Sequence, residues 1–200
     1  MAVTKTWPIE VARAALDAGL TMLGESRIQE AEPKVAALPG AEWHFIGRLQ
    51  SNKARRALRA FAVIHSVDSI ELLARLDSLA AEENVRPRLL MQVNLSGESA
   101  KTGMSPEALQ GARLQADNAR LVGLMTIAPM GASLDEARSI FRRLRELRDR
   151  LEQANAMSLP ELSMGMTADA EAAAAEGATL VRIGSALFGP RSETLVFSGP

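Results

Sequence analysis

Lys5 closes a short β-like run, Ala2-Val3-Thr4. A lysine there is either a solvated surface charge or an amine held in a barrel mouth. In the second case burial or nearby cations lower its pKa and free a nucleophile that condenses with aldehydes. Two distant segments supply a possible complement. The run Thr179 to Ile183 leads into Gly184-Ser185, and Leu162-Ser163-Met164-Gly165-Met166-Thr167 repeats the order of strand, glycine and helix start. Glycine lets backbone approach an anion, and the free N–H groups of a helix start provide donors. Gly165 and Gly184 therefore either serve tight turns or cradle a phosphate. An amine on one side and a phosphate site on the other would suit a phosphorylated aldehyde. Strand alternation puts Arg182 on one face with Leu180 and Gly184. Its donor-only cation either points into the mouth or pairs with Glu25.

Other chemistries are closed off. The sequence has no cysteine and no tyrosine, which removes disulfides, thiolate nucleophiles, cysteine-ligated metals and any phenolic acid or base. His44 and His65 lack ligand partners three or four residues away, so hydrogen-bonded structural histidines are expected and no metal site. Arg48, Lys53, Arg55, Arg56 and Arg59 form an acid-free run without interleaved aromatics. This reads as a solvated helix face and not as a nucleic-acid patch. The methionines at 125, 130, 164 and 166 read as gap-filling core.

Elements that can bring these residues together are visible in the hydrophobic pattern. Besides the first run, β-like segments fall at Thr21 to Leu23, Glu42 to Ile46, Ala62 to His65, Arg88 to Asn94, Leu121 to Met125, Pro160 to Ser163 and Thr179 to Ile183. Helical stripes lie between them, such as Leu72, Leu76 and Leu79, or Ile140, Leu144, Leu147 and Leu151. Asp68 with Glu71, Ser133 with Glu136, and Ser105-Pro106 have the spacing of helix starts. Eight alternations in 200 residues predict a single (β/α)8 TIM barrel over residues 1–200, with an open doubly wound sheet as the alternative. The weak ends are a very short first strand and the segment Phe188 to Pro200, a poor final helix. The strand ends of such a barrel carry Lys5, Glu25, Gly47, His65, Asn94, Thr126, Ser163 and Arg182. With 23 basic and 24 acidic residues, and no apolar run of membrane-spanning length, a cytoplasmic protein is expected, bound to neither nucleic acid nor membrane.

Several strings then fit one family in order and spacing. They are Ala2-Val3-Thr4-Lys5-Thr6, the run Trp43 to Lys53 (WHFIGRLQSNK), Ile64-His65-Ser66-Val67-Asp68-Ser69, Gln92 to Glu98 (QVNLSGE), Gly123-Leu124-Met125-Thr126-Ile127, Ser163-Met164-Gly165-Met166 and Val181-Arg182-Ile183-Gly184-Ser185. Across nearly the whole chain the sequence resembles the pyridoxal phosphate homeostasis protein family. The resemblance implies a barrel of the alanine racemase N-terminal-domain type with a shortened N-terminus. It also implies pyridoxal 5′-phosphate (PLP) held as a Schiff base on Lys5, phosphate contacts at Ser163, Gly184 and Ser185, and Arg182 near the pyridine ring. Ile46, Met164 and Gly165 complete the cofactor-binding set. The implied role is a vitamin B6 carrier, a monomer or weak homodimer with PLP-dependent apoenzymes as recipients and no established reaction.

Two departures stand out: Ser26 replaces the asparagine usual after Gly24-Glu25, and the family's leading helix is missing ahead of Lys5. The first is expected to alter cofactor affinity, the second to leave Lys5 poorly anchored or the true start upstream. The competing reading is an amino-acid racemase, which would need His65 in place of the absent tyrosine. A cofactor-free lysine aldolase would need Glu25 as the base beside Lys5.

Overall fold

The computed structural model describes residues 1–97 and 102–190. Eight parallel strands follow one another around the sheet in chain order: β1 (Ala2–Val3), β2 (Met22–Glu25), β3 (Glu42–Phe45), β4 (Val63–Val67), β5 (Arg88–Gln92), β6 (Arg120–Met125), β7 (Glu161–Met166) and β8 (Leu180–Arg182). The ring closes where Ala2 bridges Ile183: Val3 N–H donates to Ile183 O at 2.8 Å and Ile183 N–H to Met1 O at 3.0 Å. All eight expected strands are present, in a barrel and not an open sheet.

Alternation along the strands separates two cores. Ile64, Leu89, Leu124 and Leu162 face outward into the layer shared with the helices, where Leu72, Leu76, Leu79, Phe141, Leu144 and Leu147 meet them. Val63, Leu90, Val122 and Met125 form a separate apolar cluster. The helices are α1 (Ile9–Asp17), α2 (Ile28–Ala37), α3 (Ala54–Ala60), α4 (Ile70–Glu82), α5 (Pro106–Gln110), α6 (Leu134–Asn155), α7 (Ala170–Ala175) and α8 (Ser185–Phe188). The outer ring is uneven, since α5, α7 and α8 are only one or two turns long. Of the expected weak end, Arg191 to Pro200 lies outside the described residues.

Helix starts follow from the caps, with one correction. Ser133 and Glu136 form the full reciprocal box at α6, and Ser105 accepts the Ala108 N–H at α5. At α4 the cap is Ser69, not Asp68: Ser69 is the extended residue before Ile70, so its hydroxyl reaches the Leu72 N–H at 3.1 Å. Asp68 sits one residue too early. Between α6 and α7 the carboxylate of Glu176 gathers Arg138, Arg142 and Arg145 at 2.8, 3.0 and 2.9 Å. It is covered by the arginines themselves, whose hydrogen bonds hold its pKa down to about 2.

Candidate functional site

The amino-terminal strand is clamped from outside. Thr4 points into the helix layer and donates from Oγ1 to Glu25 Oε1 at 2.9 Å. Lys34 of α2 donates to the same oxygen at 2.6 Å and to the Thr4 carbonyl at 3.0 Å. Burial raises the Glu25 pKa while Lys34 and Thr4 oppose the shift. By alternation the neighbours Val3 and Lys5 turn the other way, into the mouth. The clamp holds Glu25 through Oε1 outside the mouth wall, and Arg182 bonds Ser163 and Thr126 instead, so Glu25 is neither the partner of Arg182 nor a base in the mouth beside Lys5, and both of those expectations are corrected. After Lys5 the chain turns sharply. Thr6 has φ 68°, a left-handed conformation that costs a β-branched residue on the order of 1–2 kcal/mol, and Trp7 N–H returns to the Thr4 carbonyl at 3.1 Å. Strain of this kind, here beside the Lys5 amine, persists only where the surrounding structure fixes it.

The mouth is a cavity of about 400 Å³, within the range of small-molecule sites. Lys5, Ile46, Arg182, Gly184 and Ser185 line it together, as the sequence led one to expect, and no carboxylate appears in its wall among the described residues. The structure adds Trp7 and Thr167, which sequence reasoning missed. Trp7 packs its ring 6.0 Å from that of Phe188. Gly184 has φ −122°, outside the left-handed region, and an added Cβ would meet Val3 only at ordinary contact distance, 3.6 Å. Neither a left-handed φ nor packing demands a glycine here, and its bareness leaves room in the cavity.

Ser163, Met164 and Gly165 lie behind the wall. The expected strand ended at Ser163, but β7 runs to Met166, so Met166 and Thr167 reach the rim. Gly165 (φ 88°) is required by packing, because a Cβ there would stand 2.5 Å from the Ala173 Cβ of α7. Met164 is buried in the helix layer. Ser26 lies beneath Gly47 and is not part of the wall, so its expected effect on the cofactor has no direct contact to act through.

Ser163 belongs to a buried polar chain. Arg182, 5% exposed, donates from Nη1 to Ser163 Oγ at 2.7 Å and from Nη2 to the Thr126 carbonyl at 2.9 Å. His65 Nδ1 lies 2.8 Å from the same Oγ, and His65 Nε2 lies 2.8 Å from His44 Nδ1. His44 Nε2 is 2.9 Å from Glu42 Oε1. Burial lowers the Arg182 pKa to about 10, so the guanidinium stays charged at neutral pH. Burial also depresses both histidines, His65 strongly, with His44 and Arg182 adding repulsion there. His65 has both ring nitrogens engaged beneath Arg182 and is not in the cavity wall, which removes it as a stand-in for a catalytic tyrosine.

A stability prediction follows from the histidines. Their folded pKa values lie below the unfolded value near 6.5, so below that pH the unfolded chain takes up protons that the folded chain refuses. Urea unfolding is expected to show stability falling as pH drops from 6.5, by up to about 1.4 kcal/mol per pH unit for each histidine. A flat profile between pH 7 and 5 would contradict the buried neutral pair.

The chain is thus an eight-stranded parallel α/β barrel whose mouth gathers a lysine, an arginine and an open glycine turn, with no acid in its wall among the described residues. Residues 1–192 match the family described as "Alanine racemase, N-terminal domain". The chain belongs to that family, within its pyridoxal phosphate homeostasis protein branch. It is 44% identical over 197 residues to the "Pyridoxal phosphate homeostasis protein" of Synechocystis sp., covering 96% of this chain and 90% of that one. PipY of Synechococcus elongatus, in a solved structure with PLP bound, is 42% identical with a TM-score of 0.90, covering 94% of this chain and 91% of PipY. Alanine racemase of Clostridium difficile shares the fold alone: 16% identity and a TM-score of 0.77 over 98% of this chain and 53% of the enzyme. Among the described residues no helix is long and apolar enough to cross a membrane.

Proposed function

We propose that this chain holds pyridoxal 5′-phosphate in the barrel mouth as a Schiff base on Lys5 and acts as a cytoplasmic carrier in vitamin B6 homeostasis, releasing the cofactor to apoenzymes. The observation that carries this reading is the convergence of Lys5, Arg182, Gly184 and Ser185 on one cavity without acidic groups among the described residues. That donor set suits an anion bearing an aldehyde. The Ser185 hydroxyl, the Thr167 side and the first N–H groups of α8 are the phosphate donors, and Arg182 offers its guanidinium to the ring. When bound, the group supplies an aldehyde carbon to which the Lys5 amine adds with loss of water. The chain's own residues bind and orient it. Among the described residues no second base lines the mouth, the sequence lacks tyrosine and His65 is enclosed, which supports delivery without turnover.

The test is to record the absorption spectrum of the protein with pyridoxal 5′-phosphate, reduce with borohydride and map the labelled residue. A single label on Lys5 is expected; label spread over Lys53 and Lys101, or none, overturns the reading. The glycine turn gives an independent check. Gly184→Ala needs no left-handed φ and its added Cβ meets its protein neighbours at ordinary contact distance, so the Tm is expected to change little while cofactor affinity, measured by spectroscopic titration, falls on the order of tenfold, ~1.4 kcal/mol. Unchanged affinity would take the phosphate away from this turn.

A further inference from the structure

We propose that Glu42 and His44, at the far end of the barrel from the mouth, are positioning residues for the cofactor site, acting through a proton-ordered chain that ends on Arg182. This rests on the carrier reading. The order of the protons is fixed from both ends. An arginine can only donate, so Ser163 Oγ accepts from Arg182 at 2.7 Å. Ser163 is fully buried, and the acceptor left for its single proton is His65 Nδ1 at 2.8 Å. His65 then carries its own proton on Nε2 and donates it to His44 Nδ1. At the other end Glu42 can only accept. Burial works against its charge, but the Arg88 guanidinium in ion pair with it and the His44 hydrogen bond keep its pKa below the usual range, so His44 Nε2 must be the donor. Both arguments give the same tautomer to each ring, protonated on Nε2.

Chains of this kind polarise one another when every dipole points the same way in a low-dielectric interior. Here the carboxylate of Glu42 draws protons towards the amino-terminal rim, which leaves Ser163 Oγ electron-rich where it faces Arg182. The guanidinium is held by that oxygen and by the Thr126 carbonyl, with no carboxylate bonded to it among the described residues. Glu42 is itself anchored by Arg88 at 2.6 Å and reaches solvent, its side chain 39% exposed. The orientation of a cation in the mouth therefore depends on a carboxylate at the opposite rim.

The chain has only two histidines, which makes the test clean. In nitrogen-15 spectra of the free protein at neutral pH, both rings are expected as Nε2–H tautomers, with scalar coupling across the His65 to His44 hydrogen bond. Adding pyridoxal 5′-phosphate is expected to move the His44 ring resonances, although His44 is not in the cavity wall. Glu42→Gln at the exposed rim is expected to keep the unfolding midpoint but weaken the cofactor about fivefold, near 1 kcal/mol. It should also shift the Arg182 Nε–H resonance in the free protein. An Nδ1–H or doubly protonated ring, unmoved His44 resonances on loading, or wild-type affinity in Glu42→Gln overturns the proposal. Should the wild-type protein fail to take up the cofactor at all, the carrier reading fails instead. The chain is then judged on the tautomers and the Arg182 resonance of the free protein, which need no ligand.

Discussion

Replacing Lys5 with alanine is expected to abolish the visible absorption band that the protein gives with pyridoxal 5′-phosphate, and with it all borohydride labelling. The fold should survive the change. Strand β1 is anchored by the Thr4, Glu25 and Lys34 clamp and by the backbone bridge to Ile183, none of which uses the Lys5 amine. Arg182, Gly184 and Ser185 remain in the wall, so the variant is expected to retain weaker, non-covalent binding that dialysis reverses. That combination separates two contributions: the covalent link from Lys5, and the recognition of the anion from the opposite wall. Equilibrium dialysis beside the spectrum measures both. A retained band with label on another lysine would show that the mouth amine is not the one that condenses.

The elements of this barrel were legible because each strand buries a short apolar run and each helix shows its stripe. That Lys5, Arg182, Gly184 and Ser185 line one cavity was legible because a parallel barrel gathers the carboxyl ends of its strands, whatever their distance in sequence. What escaped reading has local physical causes. The end of β7 was placed at Ser163 because the small residues Ser163 and Gly165 look like a turn, whereas the strand continues through a register shift to Met166. That shift sends Thr167 to the mouth and Ser163 to the interior. The Glu42 to Arg182 chain joins residues as far apart as His65 and Ser163, 98 positions, and no spacing rule connects them. One signal was available: His44 and His65 sit in neighbouring strands at positions whose side chains both turn inward, so the barrel had to supply each with polar partners. Trp7 gave no signal, since its place in the wall depends on the left-handed turn at Thr6.

Gly123→Ala is expected to be the most damaging small substitution in the barrel, costing about 3 kcal/mol or more from a total that for a domain of this size is ~5–15 kcal/mol. Gly123 lies in β6 opposite Glu161 of β7, and a Cβ built on it would stand 1.9 Å from the Glu161 carbonyl oxygen. The obstacle is backbone, so no rotamer change relieves it, and the two strands must separate or slip. Slipping is costly here because the same pair of strands sets Met125 against Ser163, with the Thr126 N–H donating to the Ser163 carbonyl at 3.1 Å. Arg182 donates one hydrogen bond to each side of that junction, to Ser163 Oγ and to the Thr126 carbonyl. A shift between β6 and β7 therefore reaches the mouth, and cofactor affinity should fall along with stability. Gly40→Ala is the control: Gly40 is exposed, and its added Cβ would approach Leu16 no closer than 4.0 Å, so its urea midpoint should stay within about 0.5 kcal/mol of the parent. If Gly123→Ala unfolds at the same urea concentration as Gly40→Ala, the close approach of β6 to β7 is not what this glycine provides.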